Sequence, residues 1–250
     1  MTDAVLTEQR DRVLVITLNR PEAMNAINAA LADGLLAAVR RLDDDPDLTA
    51  GVLTGNGKGF CSGRDLKAFA RGESIGAATR FFRDGAQKPL VAAIEGFALA
   101  GGLELALSCD LLVAARGVKL GIPEVKVGLF AAGGGVMKLP SRVGYGKAME
   151  MAVTGDPITA EEAHTYGLVT ALAEPGEALA GAIELAERIA ANAPLGVAAS
   201  KRMIRATQGA TDDELWALQG ELAGPVFTSN DAKEGPAAFA EKRPPNWSGT

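Results

Sequence analysis

The stretch that decides the fold runs from residue 90 to residue 124 and reads LVAAIEGFALAGGLELALSCDLLVAARGVKLGIPE. It opens with an uninterrupted apolar run, Leu90–Ile94, which predicts a buried strand. A turn containing Gly101 and Gly102 follows, and we expect a short helix to begin there. The next apolar run, Leu111–Ala115, predicts a second buried strand. Strands that alternate with helices over so short a stretch indicate an α/β fold.

Two loop-to-helix junctions contain glycine, one at Gly101 and one at Arg64 within GKGFCSGRDLKAF (residues 57–69). The first residues of a helix have unpaired backbone N–H groups and lie at the positive end of the helix dipole. Glycine lets the backbone turn so that these groups point at a ligand. The sequence therefore predicts an anion or oxyanion site at the backbone amides of Arg64 and Gly101.

Two glutamates lie near the second junction. Glu104 falls in the first turn of the predicted helix, among apolar neighbours that would raise its pKa, and Glu124 follows Pro123. Carboxyl groups in one pocket can act as acid and base. Structural roles remain open, because Glu104 can simply stabilise the helix dipole and Glu124 can pair with Lys126 at the surface.

Outside this stretch, apolar runs predict strands over Val13–Leu18 and residues 50–54. Between them we expect an amphipathic helix, capped by Asn25 or Asn28. Residues 71–88 show little pattern. The remainder is mostly helical, with a strand over 168–172, and two capping boxes mark helix starts. The predicted helices cover residues 146–153, 159–166, 176–192, 194–207 and 211–222, and a last one runs to Phe239.

The 250 residues are 48% apolar and 22% charged, which is typical of a globular protein with a sizeable core. The net charge of −6 argues against a general nucleic-acid binder. The longest apolar stretch is interrupted by glutamate and glycine, so we expect no membrane span. The polar N-terminus shows no secretion signal, and the two cysteines, Cys61 and Cys109, indicate free thiols in a reducing cytosol. We therefore expect a cytoplasmic location.

The sequence does not support several common kinds of catalytic or binding site. The single histidine, His164, has no nearby aspartate to orient it, which disfavours a Ser-His-Asp triad. No phosphate-binding glycine motif follows a strand, and no residue cluster has metal-ligand spacing, so we predict no metal. The glycine run over residues 133–135 is interpreted as a packing turn. A basic group near the first junction indicates either a solvated loop or an anionic ligand; it comprises Lys58, Arg64, Lys67 and Arg71.

Several segments together resemble the enoyl-CoA hydratase/isomerase (crotonase) family. They are NRPEAMNA (residues 19–26), GFCSGRDL (59–66), GFALAGGLELA (96–106), GIPEVKVG (121–128), DAKEG (231–235) and AFAEKR (238–243). The resemblance covers nearly the whole chain in order. It implies a spiral of ββα units over residues 1–190, followed by a C-terminal helical region over 191–250. That region would form a homotrimer or a dimer of trimers and cover the active site.

The resemblance also implies a chemistry. The amides of Arg64 and Gly101 would hold the thioester oxygen of an acyl-CoA as an enolate forms. Glu124 would deliver a proton to C2, and Glu104 would position and deprotonate the water that adds at C3. Such an enoyl-CoA hydratase of fatty acid metabolism, for example in β-oxidation, needs no cofactor beyond the coenzyme A of its substrate. The implied substrate-binding residues are Lys58, Arg64, Asp65, Leu66, Lys67, Gly101, Phe239 and Lys242.

Other readings remain at this point. A Δ3,Δ2-enoyl-CoA isomerase or a specialised acyl-CoA dehydratase would have the same fold, although an isomerase needs one well-placed base and no activated water, so the presence of both glutamates counts against it. A non-catalytic RNA-binding or assembly protein would not need the acids and would favour a basic surface. The chain also departs from many relatives at Ala100, where a third glycine is common, at the bulky Arg64, and at residues 130–132. We expect these departures, and a pocket wall from residues 66–88, to affect acyl preference.

Overall fold

The strands form where the sequence has short, mostly β-branched or alanine-rich apolar runs. The computed structural model describes residues 3–250. In that range the strands are β1 (Val5–Arg10), β2 (Val13–Leu18), β3 (Ala50–Gly55), β4 (Leu90–Ile94), β5 (Phe97–Leu99), β6 (Leu111–Ala115), β7 (Lys119–Gly121), β8 (Ile158–Thr159) and β9 (Ala171–Ala173).

Most helices lie where the sequence predicts them, and most begin at a capping residue or after a turn; the exceptions are the helices over Gly76–Asp84 and Gly135–Val143, for which no helix was predicted. The helices are α1 (Ala29–Asp44), α2 (Leu66–Ala70), α3 (Gly76–Asp84), α4 (Gly101–Leu107), α5 (Gly135–Val143), α6 (Tyr145–Thr154), α7 (Ala160–Thr165), α8 (Ala178–Ala190), α9 (Pro194–Ala206), α10 (Asp212–Thr228) and α11 (Asn230–Glu241). Short 3-10 turns cover Pro21–Ala23 and Pro123–Val127.

The chain alternates between two sheets. The larger sheet has the order β1-β2-β3-β4-β6-β9 and is parallel except for the antiparallel pair β1·β2. The smaller sheet has the order β5-β7-β8. Thus β4 is followed by β5 and α4, and β6 by β7 and the next helical turn. This repeated strand–strand–helix order is the spiral of ββα units that the resemblance implied.

Both faces of the larger sheet are covered, as parallel sheets require. On one face, side chains such as Val52 and Val91 pack with Ala182 and Ile183 of α8. On the other, Leu53 and Ala92 belong to the main core with α1 and α4. The sheet is therefore a fixed platform, and the loops after its strands hold their positions against it.

The C-terminal helices α9 and α10 have no buried residue. Several of their large apolar side chains are exposed, as is Phe239 on α11.

The capping boxes at Thr159 and Thr211 are present as predicted. The helix from Thr211 continues past Pro225 to Thr228, six residues further than the predicted end at Leu222. No helix among residues 3–250 is long and apolar enough to cross a bilayer.

The structure differs from the sequence predictions in several elements. Residues 71–88, which showed little pattern, contain the helix α3, whose Phe81 and Phe82 are buried. Four strands were missed: the polar edge strand β1, the three-residue strands β5 and β7, and the two-residue strand β8. The strand predicted over 168–172 lies at Ala171–Ala173. Asn28, rather than Asn25, caps α1 by accepting a hydrogen bond from Leu31 N.

Candidate active site

The two glycine-containing junctions lie side by side. The bridge between Cys61 and Ala98, with a bond from Leu99 N to Cys61 O of 3.0 Å, joins the segment before α2 to the segment before α4. A Cβ placed on Gly101 would lie only 3.6 Å from the amide nitrogen of Arg64. Among residues 3–250, neither of these two amides donates to a protein acceptor. Two free N–H groups thus adjoin the same cavity, as an oxyanion site needs.

The close approach of the junctions depends on small residues. A Cβ on Gly102 would lie 2.2 Å from the carbonyl oxygen of Cys61, so a larger residue cannot fit there. Gly63 has φ +101°, a conformation that side chains disfavour. Ala100 has φ +51° and ψ −129°, a region that is essentially reserved for glycine. The alanine noted as a departure from relatives is therefore held in a strained backbone conformation.

Glu104 lies in the first turn of α4, a helix whose residues are all buried. Its Oε1 accepts a hydrogen bond of 2.9 Å from the amide of Gly135. Burial raises the pKa of Glu104, while the amides of Gly135 and Gly133 and the ammonium of Lys138 oppose the rise. The carboxyl is fixed in place, so it can hold a water molecule or take a proton at a defined point.

Glu124 lines the same cavity and lies in the 3-10 turn Pro123–Val127. Its Oε2 is buried without a hydrogen-bond partner among the described residues. Burial is the largest cause of a rise in its pKa to about 7, to which the charge of Glu104 adds. The surface pair with Lys126 is not formed, because that ammonium pairs with Asp156 at 2.6 Å. Glu124 is thus suited to donate a proton near neutral pH.

Both glutamates and both amides adjoin one cavity of about 510 Å³. Its walls are mostly apolar, which lowers the local dielectric and strengthens electrostatic interactions inside. Residues 66–82 supply part of the wall, whereas the sequence predicts that the segment 66–88 supplies most of it. The apolar lining residues are Ile27, Leu66, Phe69, Ile75, Phe82, Ala100, Pro123, Val127, Leu129, Phe130 and Ala132.

The glycine run at residues 133–135 has a role that the sequence did not reveal. Besides the amide that binds Glu104, it supplies space: a Cβ on Gly133 would lie 2.5 Å from Oε2 of Glu104. It is a packing turn, as interpreted, but the group it packs against is the candidate base. The signal was available, because this run also precedes a helix and supplies unpaired N–H groups.

Of the other predicted binding residues, one lines the cavity, one caps a helix and four are exposed at the surface. Leu66 lines the cavity, whereas Asp65 caps α2 through bonds to the Lys67 and Ala68 amides and pairs with Arg20. The remaining predicted binding residues do not line the cavity in the single chain, and all are exposed; they are Lys58, Lys67, Phe239 and Lys242.

The histidine and the two cysteines do not line the cavity, and their contacts are those of structural residues. The ring of His164 bonds the carbonyl oxygen of Val169 at 2.9 Å. Cys61 and Cys109 are buried and unpaired, and burial raises the pKa of the Cys61 thiol to about 12. Within the part of the chain that the structure describes, no group of three metal-binding side chains is found.

Comparison with known proteins agrees with this geometry. The enoyl-CoA hydratase/isomerase family model matches residues 8–250. A crystal structure of enoyl-CoA hydratase from Mycobacterium tuberculosis H37Rv is 55% identical, covers 100% of both chains and superposes with a TM-score of 0.96.

Two further relatives are similar in sequence. Enoyl-CoA hydratase EchA19 of Mycobacterium tuberculosis is 40% identical, over 97% of this chain and 95% of its own length. Carnitinyl-CoA dehydratase of Proteus mirabilis is 39% identical over 100% of both chains. A family match over almost the whole length, on a fold and cavity of this form, means that the chain belongs to the enoyl-CoA hydratase/isomerase family.

Proposed function

We propose that the chain is an enoyl-CoA hydratase, which adds water reversibly across the 2,3 double bond of a 2-enoyl-CoA thioester. The observation that carries the proposal is the presence of two free amides and two carboxyl groups on one apolar cavity. An isomerase needs one base, and the second acid would have no part in its reaction. The family match and the hydratase relatives support the same reaction.

In the proposed mechanism, the thioester oxygen accepts hydrogen bonds from the amides of Arg64 and Gly101. Water adds to C3 while Glu104 takes one of its protons, and the double-bond electrons move to the thioester oxygen as an enolate. Glu124 then delivers a proton to C2, so that water has been added and no redox change occurs. Each amide that holds the enolate is typically worth about 2.7–4 kcal/mol in such a site.

The two acids need opposite protonation states near neutral pH, and their surroundings favour this. The amides of Gly135 and Gly133 and the ammonium of Lys138 favour the ionised form of Glu104. Glu124 has no such partners on its Oε2, and its pKa is raised to about 7. Because the two carboxyls interact, the proton that one loses affects the other, and they titrate as a pair.

The test is hydration of crotonyl-CoA, followed by loss of the enoyl thioester absorbance. Glu104→Gln and Glu124→Gln should each lower kcat by about 10²–10⁴-fold, the usual contribution of a positioned acid or base. Glu150→Gln, an exposed acid paired only with Lys147, is the matched control and should keep the wild-type rate. Full activity in either cavity variant would remove that residue from the mechanism.

A second candidate is dehydration of a specialised 3-hydroxyacyl-CoA, favoured by the 39% identity to carnitinyl-CoA dehydratase. The same atoms would serve, because dehydration is the reverse of hydration. Product analysis distinguishes hydration and dehydration from isomerisation. Only an isomerase converts a 3-enoyl thioester directly to a 2-enoyl thioester, without a hydroxyacyl product.

The assembly and setting of the enzyme are part of the proposal. A homotrimer or dimer of trimers is supported by large apolar side chains left exposed on the C-terminal helices, among them Trp216 (70%), Phe227 (79%) and Phe239 (87%). Phe239 and Lys242 would then meet substrate bound to a neighbouring subunit. Free buried thiols fit a cytoplasmic location, and the reaction fits fatty acid β-oxidation without a cofactor.

A further inference from the structure

The side chain of Arg64 is a cation on the wall of a mostly apolar cavity. It is half-buried, and its Cζ lies 4.2 Å from the centroid of the Phe69 ring. Its Nη2 donates to the carbonyl oxygen of Glu73 at 3.1 Å, and its Nε is buried without a hydrogen-bond partner in the part of the chain that the structure describes. A guanidinium has five N–H donors, so most of its capacity is unused.

The nearest acids are occupied by other groups. The carboxylate of Asp65 binds Arg20 and the amides that cap α2. The carboxylate of Glu73 accepts from the amide of Ala29 at 2.7 Å and lies 3.4 Å from Arg71. Among residues 3–250, no carboxylate lies within ion-pair distance of Arg64, whereas its neighbours Arg20 and Arg71 each have one.

The two catalytic acids do not fill this role either. The cation that favours ionisation of Glu104 is Lys138, and the pKa of Glu124 responds to Glu104. A guanidinium in apolar surroundings without a counter-charge is unfavourable, and it is the side chain best suited to bind a carboxylate with two parallel hydrogen bonds. The missing counter-charge therefore points to the ligand.

The position of Arg64 indicates which part of the ligand carries that charge. Its own amide faces the thioester oxygen in the proposed function, and an arginine side chain reaches at most about 7 Å from its amide. Its neighbours on the cavity wall, Leu66, Phe69 and Ile75, are apolar and contribute to the acyl pocket. The cation thus lies beside the acyl chain within a few carbons of the thioester.

We propose, on the basis of the proposed function, that Arg64 binds a carboxylate on the acyl chain, so that the enzyme prefers 2-enoyl-CoA thioesters of dicarboxylic acids. The backbone amide of this residue would serve the thioester oxygen, and its side chain would select the substrate. This is a specificity role, separate from the proton transfers at Glu104 and Glu124.

The experiment compares two substrates that differ in one charge: a 2-enoyl-CoA of about six carbons ending in a carboxylate, and its methyl ester. Wild-type enzyme should have the higher kcat/KM for the carboxylate. Arg64→Met should reduce the ratio of the two kcat/KM values about ten- to a hundredfold, mainly through KM for the carboxylate. Arg64→Lys should restore part of the ratio, because it keeps the charge.

Arg80→Met is the matched control, since Arg80 lies on the neighbouring helix α3, is exposed and pairs with Asp84. It should leave the ratio at the wild-type value. A wild-type enzyme that hydrates the ester as well as the acid would overturn the proposal. So would an Arg64→Met variant that loses both substrates by the same factor, which would assign the side chain to the shared coenzyme A part or to loop structure.

The outcome also separates this proposal from the hydratase assignment. If the neutral ester is hydrated but the carboxylate gains nothing from Arg64, only the specificity role fails. If neither thioester is hydrated, the hydratase assignment fails. The specificity role is then judged by calorimetry, where tighter binding of the carboxylate to wild type than to Arg64→Met supports it and equal binding refutes it.

Discussion

The two walls of the cavity are built in different ways. The inner wall consists of residues 59–65 and the helix α4, whose residues are all buried. The outer wall consists of residues 66–82 and 123–133, where the turn Pro123–Val127 has no buried residue and Val127, Leu129 and Phe130 are exposed. In the proposed function, the inner wall holds both amides and Glu104 in one geometry, and the outer wall gives the acyl pocket its shape. Catalytic groups and selective surface are thus largely separate.

Two residues cross this division: Glu124, the proposed proton donor, belongs to the outer wall, and Arg64, whose side chain is proposed to select the substrate, belongs to the inner wall. Glu124 is the more informative of the two. It has a buried oxygen without a partner, whereas Glu104 on the inner wall accepts a bond from Gly135. In the proposed mechanism, backbone N–H donors therefore favour the ionised form of the base, whereas burial favours the protonated form of the proton donor. Three substitutions test this difference between the walls.

The largest effect is expected from Gly133→Ala. The new Cβ would lie 2.5 Å from Oε2 of Glu104 and 2.7 Å from the ring of Phe82, so the carboxyl must move. A displacement of about 1 Å at a catalytic group can lower kcat a hundredfold, and we expect a loss of about ten- to a hundredfold. The measurement is kcat for crotonyl-CoA, together with the thermal midpoint.

Gly146→Ala is the control for this prediction, because a Cβ on that helical glycine meets open space. Its kcat should match wild type. An unchanged kcat in a folded Gly133→Ala enzyme would show that the inner wall tolerates movement of Glu104, and the contrast between the walls would be lost.

The second prediction concerns the pH dependence of kcat/KM. In the proposed mechanism kcat/KM should fall as pH rises through the pKa of Glu124, about 7, because the proton donor is lost. The acidic limb should report ionisation of Glu104. Since the Lys138 ammonium lowers the pKa of Glu104, Lys138→Met should raise that pKa and move the acidic limb to higher pH.

The profile of Lys147→Met provides the comparison, because that ammonium pairs with Glu150 on α6, away from the cavity. It should superpose on the wild-type profile. An acidic limb that stays in place, or moves to lower pH, in Lys138→Met would contradict the view that the cation supports the ionised base.

The smallest effect is expected from Ala100→Gly. Ala100 joins the inner wall with φ +51° and ψ −129°, and glycine adopts this conformation without strain. The substitution should raise the free energy of unfolding by about 1 kcal/mol, after the entropy that glycine adds to the unfolded chain is subtracted. Thermal or urea unfolding measures it.

Ala98→Gly, two residues earlier on β5 and fully buried, should change the free energy of unfolding in the opposite direction. It removes a packed methyl group from ordinary strand backbone. If both substitutions destabilise equally, the methyl group of Ala100 contributes more by packing than its backbone conformation costs.

Much of the inner wall could be predicted from sequence, and the reason is local. The strands Leu90–Ile94 and Leu111–Ala115 and the helix start at Gly101 each depend on a few consecutive residues, and the structure has them at those positions. The outer wall was predicted less well. The helix α3 was missed, and the contact of Gly133 and Gly135 with Glu104 joins residues about 30 positions apart, which no local pattern encodes.

Edge and short strands escaped prediction for a different reason. The strand β1 has mostly exposed residues and lacks the apolar alternation on which a strand assignment depends, because only its pairing with β2 defines it. The strands β5 and β7 have three residues each and are specified by each other. Yet these short strands bring Ala100 and Glu124 to the cavity.

The exposure of Phe130 and Leu129 has a consequence for how such an enzyme diversifies. Substitutions at exposed positions usually change folding stability by less than about 0.5 kcal/mol, so these two sites can accept smaller, larger or polar residues without threatening the fold. New acyl groups can therefore be explored by single mutations, in nature or in a library, while the buried half of the pocket preserves turnover. We expect closely related sequences with different substrates to differ there first.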